Sequence, residues 1–332
     1  MKGMLQNWLA GTVLGLVLPG LLLTAAAGVP TAGEQAQTTQ ATTAAEPLPV
    51  LLRRGEDVTR MDMDDYLTGV VLGEMSAAFE PEALKAQAVA ARTYAWKAYC
   101  TGGKHGDGSV CDDPGCCQAY LSMEAYLQRG GTAMGEAKIR AAVAATSGYV
   151  LTYEGQLIEA TYFSCSGGQT EAAAAVWGTD YPYLRSVESP GEEKAVHFED
   201  AVTFTPEAFC EALGTQPEGD PAQWFHDVTF TDGGGVESMG IGQQSYTGVQ
   251  LRACLGLRST AFSIAVGEEG ITVTTHGYGH RVGMSQYGAD AMAVTGYSWQ
   301  EILQHYYPGT EIVPALTGDS LPADRQPEVQ QE

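Results

Sequence analysis

The segment from residue 67 to residue 95, LTGVVLGEMSAAFEPEALKAQAVAARTYA, is the feature that most restricts the fold. Its apolar residues and alanines recur at helical spacing, and Glu80-Pro81 divides it, because proline is favoured at the first position of a helix. Asp62 or Asp64 can cap the first helix, and the second is expected to end near Tyr99. Since the alanines permit close approach, the pattern predicts a packed helix pair.

Glu74 stands out in this pair because it directly follows the apolar run VVLG at residues 70–73. In the elbow between the helices its carboxyl group would be partly desolvated, which raises the pKa of a carboxylic acid. A solvated glutamate at a helix end is the competing interpretation. On the second helix, Gln87 and Tyr94 share one face, and Arg92 lies on another.

The remainder of the chain mixes helical and strand patterns. It predicts, in chain order, a helix over residues 133–147, a hairpin over 148–163 that turns at Glu154-Gly155, several strands within 224–275, and a helix from Ser298. The fold class is therefore α+β, in a domain over residues 49–316 with residues 190–270 as a candidate subdomain.

Both ends of the chain differ in composition from this domain. Residues 7–28 carry no charge and only Lys2 precedes them, so we interpret residues 1–28 as a signal-anchor transmembrane helix. A cleaved signal peptide that ends at small residues near Gly28 is the alternative. Residues 29–48 are expected to be a flexible linker and residues 317–332 a disordered acidic tail. Under either interpretation the domain lies outside the cytoplasm.

The net charge narrows the choice of ligand. With 40 acidic and 17 basic residues, the chain has a formal charge of -23. Nucleic acids and anionic membrane surfaces would be repelled, so neither is expected as a partner. A neutral or weakly charged ligand fits this composition better.

The segment HGDGSVCDDPGCCQAY, residues 105–120, offers one imidazole and three thiol groups. These four side chains, which can close a tetrahedral zinc site, belong to His105, Cys111, Cys116 and Cys117. The spacing is not that of a zinc finger, however. A disulfide from this loop to Cys100 or Cys165 is the competing interpretation, because an oxidising compartment favours disulfides.

The segment THGYGHRVGMSQYGA, residues 275–289, combines glycines with polar side chains. Glycine allows unusual backbone dihedrals and close approach to a ligand, so this segment is predicted to form one wall of a binding site. The candidate residues are His276, His280, Ser285 and Gln286. An ordinary tight turn is the competing interpretation, and the phosphate-binding P-loop pattern is missing.

A second glycine-rich segment, YFSCSGGQTEAAAAVWG, follows a predicted strand at residues 162–178. Hydroxyl groups beside paired glycines suit the recognition of sugar hydroxyls. The candidate residues are Ser164, Ser166, Gly167 and Thr170. A nucleophilic role is disfavoured because the G-x-S-x-G elbow is absent.

Five motifs in this order resemble the stage II sporulation protein D family. They are YLTGVVLGEM with EALKAQAVAARTY, then CQAY, SGGQTE with VWG and YL, GLRSTAF, and GHRVGMSQYGA. The resemblance covers roughly residues 48–315. It implies helical and β-rich lobes around a glycan-binding cleft, in a membrane-anchored lytic transglycosylase that acts on peptidoglycan during engulfment of the forespore. Related members are amidase enhancers.

The resemblance also implies roles for the candidate residues. Glu74 takes the place of the catalytic glutamate, and Gln87, Arg92 and Tyr94 match polar positions that line the cleft. The four candidates of the segment at residues 275–289 fall on its glycine-rich wall. The four residues at 105–117 take the places of structural zinc ligands, although Cys116 stands where the family often has histidine. The implied partners are glycan strands stripped of stem peptides, a cell-wall amidase and other engulfment proteins. The implied location is the cell membrane with an extracytoplasmic domain, or secretion if the signal is cleaved.

A lytic transglycosylase needs one carboxyl group, which Glu74 would supply first as acid and then as base. A hydrolytic glycosidase needs two. Glu80 and Glu82 are candidates for a second carboxylate, but their place at a helix start favours a structural role. The competing hypothesis is a non-catalytic glycan-binding enhancer of an N-acetylmuramoyl-L-alanine amidase. A zinc peptidase is disfavoured because H-E-x-x-H is absent.

Overall fold

The first half of the fold is built around a helix pair. A computed structural model of the chain describes residues 48–315. Its first eleven elements are β1 (Pro49–Arg54), β2 (Asp57–Asp62), α1 (Met63–Glu74), α2 (Pro81–Thr101), β3 (Ser109–Cys111), α3 (Met123–Gln128), α4 (Ala133–Ala145), β4 (Tyr149–Tyr153), β5 (Gln156–Leu157), β6 (Tyr162–Phe163) and α5 (Ala173–Trp177). Most of α2 is buried. Its alanines keep the side chains short, which allows α1, α4 and β4 to pack around it.

The chain then forms a second, β-rich lobe before it returns to the first. The second lobe contains β7 (Glu199–Phe204), α6 (Pro206–Leu213), β8 (Phe225–Phe230), β9 (Val236–Ile241), β10 (Gln244–Thr247), α7 (Gly248–Leu255), β11 (Phe262–Gly267) and β12 (Gly270–His276). The returning segment contains β13 (Met284–Ser285), α8 (Gln286–Val294), α9 (Trp299–Tyr306) and β14 (Glu311–Pro314).

The sheets are small, and each belongs to one lobe. In the first lobe the strand orders are β2-β1-β3, β14-β4-β5 and the parallel pair β13-β6. In the second lobe they are β10-β9-β8 and β11-β12-β7, both antiparallel. The pairing of β13 with β6 and of β14 with β4 returns the end of the chain to the first lobe.

Each lobe has its own hydrophobic core. The first surrounds α2, and the second contains residues between Phe209 and Val273. The predicted α+β class is therefore confirmed, with a helical lobe and a β-rich lobe. The second core overlaps the candidate subdomain at residues 190–270, whose boundaries stay a prediction.

The predicted anchor (residues 1–28), nearly all of the linker (29–48) and the acidic tail (317–332) lie outside the described residues. Between residues 48 and 315, no helix combines the length and the apolar character that crossing a membrane requires.

Several local predictions are confirmed. The Asp62 side chain accepts hydrogen bonds from the first turn of α1, and Pro81 is the first residue of α2. The predicted hairpin turns at Glu154 and Gly155, whose φ values of 50° and 77° are those of a two-residue turn between antiparallel strands. Ser298 caps α9 in a reciprocal arrangement with Glu301.

A buried ion pair joins the two lobes. Arg281 contacts Glu171 at 3.1 Å, and their side chains are 3% and 1% exposed. Glu171 accepts a hydrogen bond from the Gly235 amide at 3.0 Å, and Arg281 donates to the Gly233 carbonyl at 2.7 Å. Arg281 also donates to the Ser166 carbonyl at 2.7 Å. The turn between β8 and β9 is thereby attached to the glycine-rich segment of the first lobe.

Removal of this arginine is expected to destabilise the protein strongly. Arg281→Met leaves Glu171 as an uncompensated buried charge, which costs about 3–5 kcal/mol in the free energy of unfolding. Denaturant titration monitored by circular dichroism measures this change. Adding Glu171→Gln to the variant should recover part of the loss, because the charge is then absent.

Arg185→Met is the matched control. Arg185 pairs with Asp180 at 2.8 Å, but both side chains are largely exposed. Such a pair contributes about 1 kcal/mol or less. A loss for Arg281→Met no larger than that of the control would contradict the structural role of the buried pair.

Candidate active site

A cleft of about 1000 Å³ has a lining drawn from both lobes. Its lining includes six aromatic side chains, those of Tyr94, Tyr162, Phe163, Trp177, Tyr181 and Tyr278. It also includes two carboxyl groups, those of Glu74 and Glu159. Aromatic surface with a few placed polar groups is the usual composition of a small-molecule or oligosaccharide site.

Two glycines of α1 determine what lies beside Glu74. A Cβ at Gly69 would overlap the ring of Tyr120, and a Cβ at Gly73 would lie 3.2 Å from the Cβ of Ala119. Because both positions lack a side chain, the segment from residue 118 to residue 121 lies directly on the helix. The Leu121 amide donates to the Gly69 carbonyl at 2.9 Å and fixes this contact.

Glu74 ends α1 and is held by one hydrogen bond to each carboxyl oxygen. The Ala119 amide donates to Oε1 at 2.9 Å, and Gln286 Nε2 donates to Oε2 at 3.1 Å. Burial raises the pKa of Glu74, and the two hydrogen bonds only partly oppose this effect, so its pKa lies above the ordinary value. The side chain is half-buried and lines the cleft, so its carboxyl group is open to a ligand.

Gln286 reaches Glu74 because of how α8 begins. Ser285 caps this helix and accepts from the Gly288 amide at 3.1 Å, while Gln286 is its first residue. Ser285 also pairs in register with Phe163 through the parallel strands β13 and β6. Ser164, the next residue, therefore lies in the same cleft wall.

Five of the residues predicted to catalyse or to bind substrate line the cleft in the structure. They are Glu74, Tyr94, Ser164, His280 and Gln286.

Two predicted cleft residues on α2 lie in the core instead. Arg92 is fully buried, pairs with Asp64 at 2.9 Å and donates to the Thr146 carbonyl at 2.7 Å. Gln87 is also fully buried, and neither of its side-chain polar atoms has a hydrogen-bond partner among residues 48–315. Neither Arg92 nor Gln87 can contact a ligand in the cleft, because both side chains point from α2 towards the neighbouring helices.

The predicted hydroxyl cluster is also largely structural. The Ser166 hydroxyl and the Gly167 amide donate to Glu192 at 2.8 and 3.0 Å, and Thr170 accepts from the Val187 amide at 2.9 Å. Ser166 and Thr170 are fully buried. Together with the helix cap Ser285, they position the cleft wall and do not belong to its lining.

His276 and His280 differ although they lie on the same loop. His276 faces Glu199, at 3.7 Å, and is outside the cleft lining. His280 lies in the wall, with its ring centroid 5.2 Å from that of Trp177. Its Nδ1 accepts a hydrogen bond from the Val282 amide at 3.1 Å. The pKa of His280 is lowered to about 4, mainly by burial and then by the positive charges of Arg252 and Lys104. His280 is therefore a neutral wall residue rather than a proton carrier at neutral pH.

Neither of the two candidates for a second carboxylate, Glu80 and Glu82, lines the cleft. Glu82 accepts hydrogen bonds from Lys85 at 2.6 Å and from the Trp299 amide at 2.9 Å, so its predicted structural role at a helix start is confirmed. Glu80 is the N-cap residue of α2. Glu159 is the second cleft carboxylate and pairs with Lys97 at 2.6 Å. Its sequence context, GQLIEA, contains no motif that could have indicated this position.

Tyr162 and Gln118 form a second missed group next to Glu74. Gln118 Nε2 donates to the Tyr162 hydroxyl at 2.8 Å, and its Oε1 accepts from Tyr66 at 3.0 Å. Burial, followed by the charge of Glu74, raises the pKa of Tyr162 well above its ordinary value. Gln118 belongs to the CQAY motif, which was the available signal, but only the fold shows what it contacts.

The side chains of His105, Cys111, Cys116 and Cys117 converge, and their ligand atoms all lie within 4.8 Å of one another. The two adjacent sulfurs are 3.8 Å apart, and Cys117 Sγ is 3.5 Å from His105 Nε2. Tetrahedral zinc, with bonds of about 2.3 Å to sulfur and about 2.0 Å to nitrogen, requires separations of roughly 3.8 and 3.5 Å. None of the three cysteines forms a disulfide. The donor set therefore fits zinc.

Comparison with known proteins supports the family resemblance. A family model described as stage II sporulation protein (SpoIID) matches residues 53–153. Over 270 residues the chain is 40% identical to stage II sporulation protein D of Bacillus subtilis (strain 168). The aligned region covers 80% of this chain and 78% of the relative. The stage II sporulation protein D of Bacillus amyloliquefaciens is 39% identical over 290 residues, or 83% and 84% of the two chains. This protein therefore belongs to the stage II sporulation protein D family.

A more distant relative has a different name. The Bacillus subtilis (strain 168) protein called amidase enhancer is 29% identical over 306 residues, which are 74% of this chain but 40% of that longer protein.

The burial of Glu74 has a consequence for stability. Because its pKa is higher in the folded than in the unfolded protein, raising the pH above its unfolded pKa destabilises the fold until the folded pKa is passed. Glu74→Gln lacks this penalty. Its free energy of unfolding relative to wild type should therefore increase as the pH is raised above about 4, the unfolded pKa of glutamate, as measured by denaturant titration.

Glu82→Gln is expected to behave in the opposite sense. Burial alone would raise the pKa of Glu82, but hydrogen bonds from Lys85 and Trp299 lower it overall. Ionised Glu82 thus stabilises the fold, and the variant should lose stability relative to wild type as the pH rises. The same pH trend in both variants would contradict the assigned environment of Glu74.

Proposed function

We propose that this protein is a peptidoglycan lytic transglycosylase that cleaves the bond between N-acetylmuramic acid and N-acetylglucosamine and leaves 1,6-anhydro-muramic ends. The observation that carries the proposal is the half-buried Glu74, which lines the cleft with a raised pKa and a hydrogen bond to each oxygen. Residues 1–28 would anchor the protein in the cell membrane, with the domain extracytoplasmic. The family membership supports a role in sporulation.

The first chemical step is protonation of the leaving group. Aromatic side chains of the cleft, among them Trp177 and Tyr181, offer flat surfaces to sugar rings. Neutral Glu74 donates its proton to the glycosidic oxygen as the bond from that oxygen to C1 of the muramic residue breaks. A raised pKa is needed for this step, because an ordinary glutamate is ionised at neutral pH.

The second step closes the anhydro ring. The Glu74 carboxylate that has been formed keeps its hydrogen bonds to Ala119 and Gln286, which stabilise the negative charge. It accepts the proton of the muramic C6 hydroxyl while that oxygen bonds to C1. The proton given in the first step is thus regained, and no water is consumed.

Glu159 allows a hydrolytic variant of this mechanism. Inverting and retaining glycosidases both use a second carboxylate. Lys97 Nζ lies 2.6 Å from Glu159 Oε1, so this carboxylate already has a charged partner inside the protein. We therefore favour the reaction without water, and the two mechanisms give different product ends.

We further propose a structural zinc ion held by His105, Cys111, Cys116 and Cys117. Four protein ligands leave no open position, so zinc would supply stability rather than chemistry. Its place matters because Gln118 and Ala119 follow the last ligand directly. The site would fix the segment that donates to Glu74 and supports Tyr162.

A non-catalytic role is the second candidate function. The relative named amidase enhancer favours it, because that name describes an effect on another enzyme. In this case the cleft would bind glycan without cleaving it, and an N-acetylmuramoyl-L-alanine amidase would be the partner. Other engulfment proteins would be partners under either function.

Glu74→Gln is expected to lower the rate at which anhydro-muropeptides are released by at least about 100-fold, which is the usual contribution of general acid–base catalysis. The measurement is mass spectrometry of soluble products from denuded glycan strands incubated with the metal-loaded domain. Glu218→Gln is the control, because Glu218 is exposed and lies outside the cleft lining. Reducing ends would instead indicate hydrolysis with Glu159 as base. A folded wild-type protein that binds glycan without forming product would favour the enhancer role.

Zinc analysis tests the metal site separately. Wild type should contain about one zinc ion per chain, and chelation should lower its melting temperature. Cys116→Ser should reduce zinc content and stability, whereas Cys116→His, which introduces the residue that the family resemblance implies, should retain both. Cys254→Ser is the control because Cys254 is exposed and remote in sequence from the four ligands. Wild-type protein that binds no zinc under reducing conditions would refute the site.

A further inference from the structure

Two basic side chains of the cleft lack carboxylate partners in a strongly acidic protein. The chain has 40 acidic and 17 basic residues, and most arginines of the described domain form ion pairs. Arg252 and Lys104 both line the cleft. Within residues 48–315 neither forms an ion pair, although Lys104 Nζ donates a hydrogen bond to the Cys116 carbonyl, which leaves its charge uncompensated. Their charges are therefore available to a ligand.

Arg252 is held so that part of its guanidinium group is open. It lies in the last turn of α7, and its Nε donates to the Leu257 carbonyl at 3.4 Å. Its two terminal nitrogens have no hydrogen-bond acceptor among the described residues. The side chain is half-buried, and this burial lowers its pKa, although arginine remains charged. A partly desolvated charge without a partner is unfavourable until a ligand supplies the opposite charge.

The two charges act on the same wall of the cleft. Both lower the pKa of His280, after the larger effect of burial. His280 in turn packs against Trp177, one of the aromatic side chains of the lining. This part of the cleft is thus locally positive, whereas the molecule as a whole carries a charge of -23.

We propose that Arg252, assisted by Lys104, forms an anion subsite for the lactyl carboxylate of N-acetylmuramic acid. The inference rests on the proposed function, since that function identifies the ligand. The stem peptide is joined to this carboxyl group through an amide, so only a strand without the peptide presents a carboxylate there. The planar guanidinium group of Arg252 can receive a carboxylate through two parallel hydrogen bonds.

The subsite would determine the register of the strand. N-acetylmuramic acid and N-acetylglucosamine alternate along the glycan, and only the former bears a lactyl group. An ion pair at Arg252 would therefore favour the registers in which a muramic residue lies at this wall. Arg252 would act as a specificity-determining residue that positions the strand, while Glu74 performs the chemistry.

The test is calorimetric binding in the Glu74→Gln background, in which the strand is not expected to be cleaved. The ligands are denuded glycan strands, the same strands with methyl-esterified carboxyl groups, and chitin oligosaccharides. Arg252→Gln should weaken binding of the free-acid strand about tenfold, the usual effect of one charge-assisted hydrogen-bonded pair. It should leave the other two ligands unchanged. Arg60→Gln, which removes an exposed charge outside the cleft lining, should alter none of the three.

The results separate this inference from the proposed function. Equal loss of binding for all three ligands would show that Arg252 supports the fold, and no loss for the free acid would show that it does not recognise the carboxylate. Either result overturns the subsite even if the wild-type protein releases anhydro products. Selective loss for the free acid supports the subsite even if wild type forms no product. Arg252→Lys should partly restore binding of the free-acid strand, and that binding should weaken more with added salt than binding by wild type. This result would support recognition of the carboxylate charge.

Discussion

The close contact between α1 and the segment at residues 118–121 is the constraint on which the site depends. Gly69 and Gly73 lie one helical turn apart. If either position carried a side chain, the segment could not lie directly against the helix. The contact brings the Ala119 amide to Glu74 and the Gln118 side chain to Tyr162. The four converging residues at 105–117 stand immediately before this segment. Their geometry and that of the carboxyl group are therefore coupled through a few residues of backbone.

Opposing effects determine the state of Glu74. Burial favours its neutral form, whereas the hydrogen bonds from Ala119 and Gln286 favour the anion. The hydrogen bonds only partly offset burial, so the pKa of Glu74 stays above that of an ordinary glutamate. The same arrangement stores a stability cost that an uncharged side chain would not carry, as is common at functional sites.

Local signals in the sequence were sufficient for much of the fold and part of the site. The cap at Asp62, the helix start at Pro81 and the turn at Glu154 were predicted because each depends on residues within a few positions. The family resemblance for Arg92, and the glycine-rich pattern for Ser166 and Thr170, predicted cleft positions, whereas the structure buries all three side chains. These polar residues lie in recognisable motifs, but a motif does not show whether a side chain faces a ligand or the core. Glu159, Tyr162 and Arg252 were missed because their neighbours in space are distant in sequence.

The sequence by itself determined the α+β class, the candidate acid at Glu74 and the quartet of potential metal ligands. Each of these depends on periodicity or on residues close together in the chain, and such interactions are encoded locally. Only the tertiary structure decided that Gln286, 212 positions along the chain, donates to Glu74, and that Arg252 of the second lobe lines the same cleft. The physical reason is that packing of both lobes and the buried pair of Arg281 and Glu171 fix these contacts, and no short stretch of sequence specifies them.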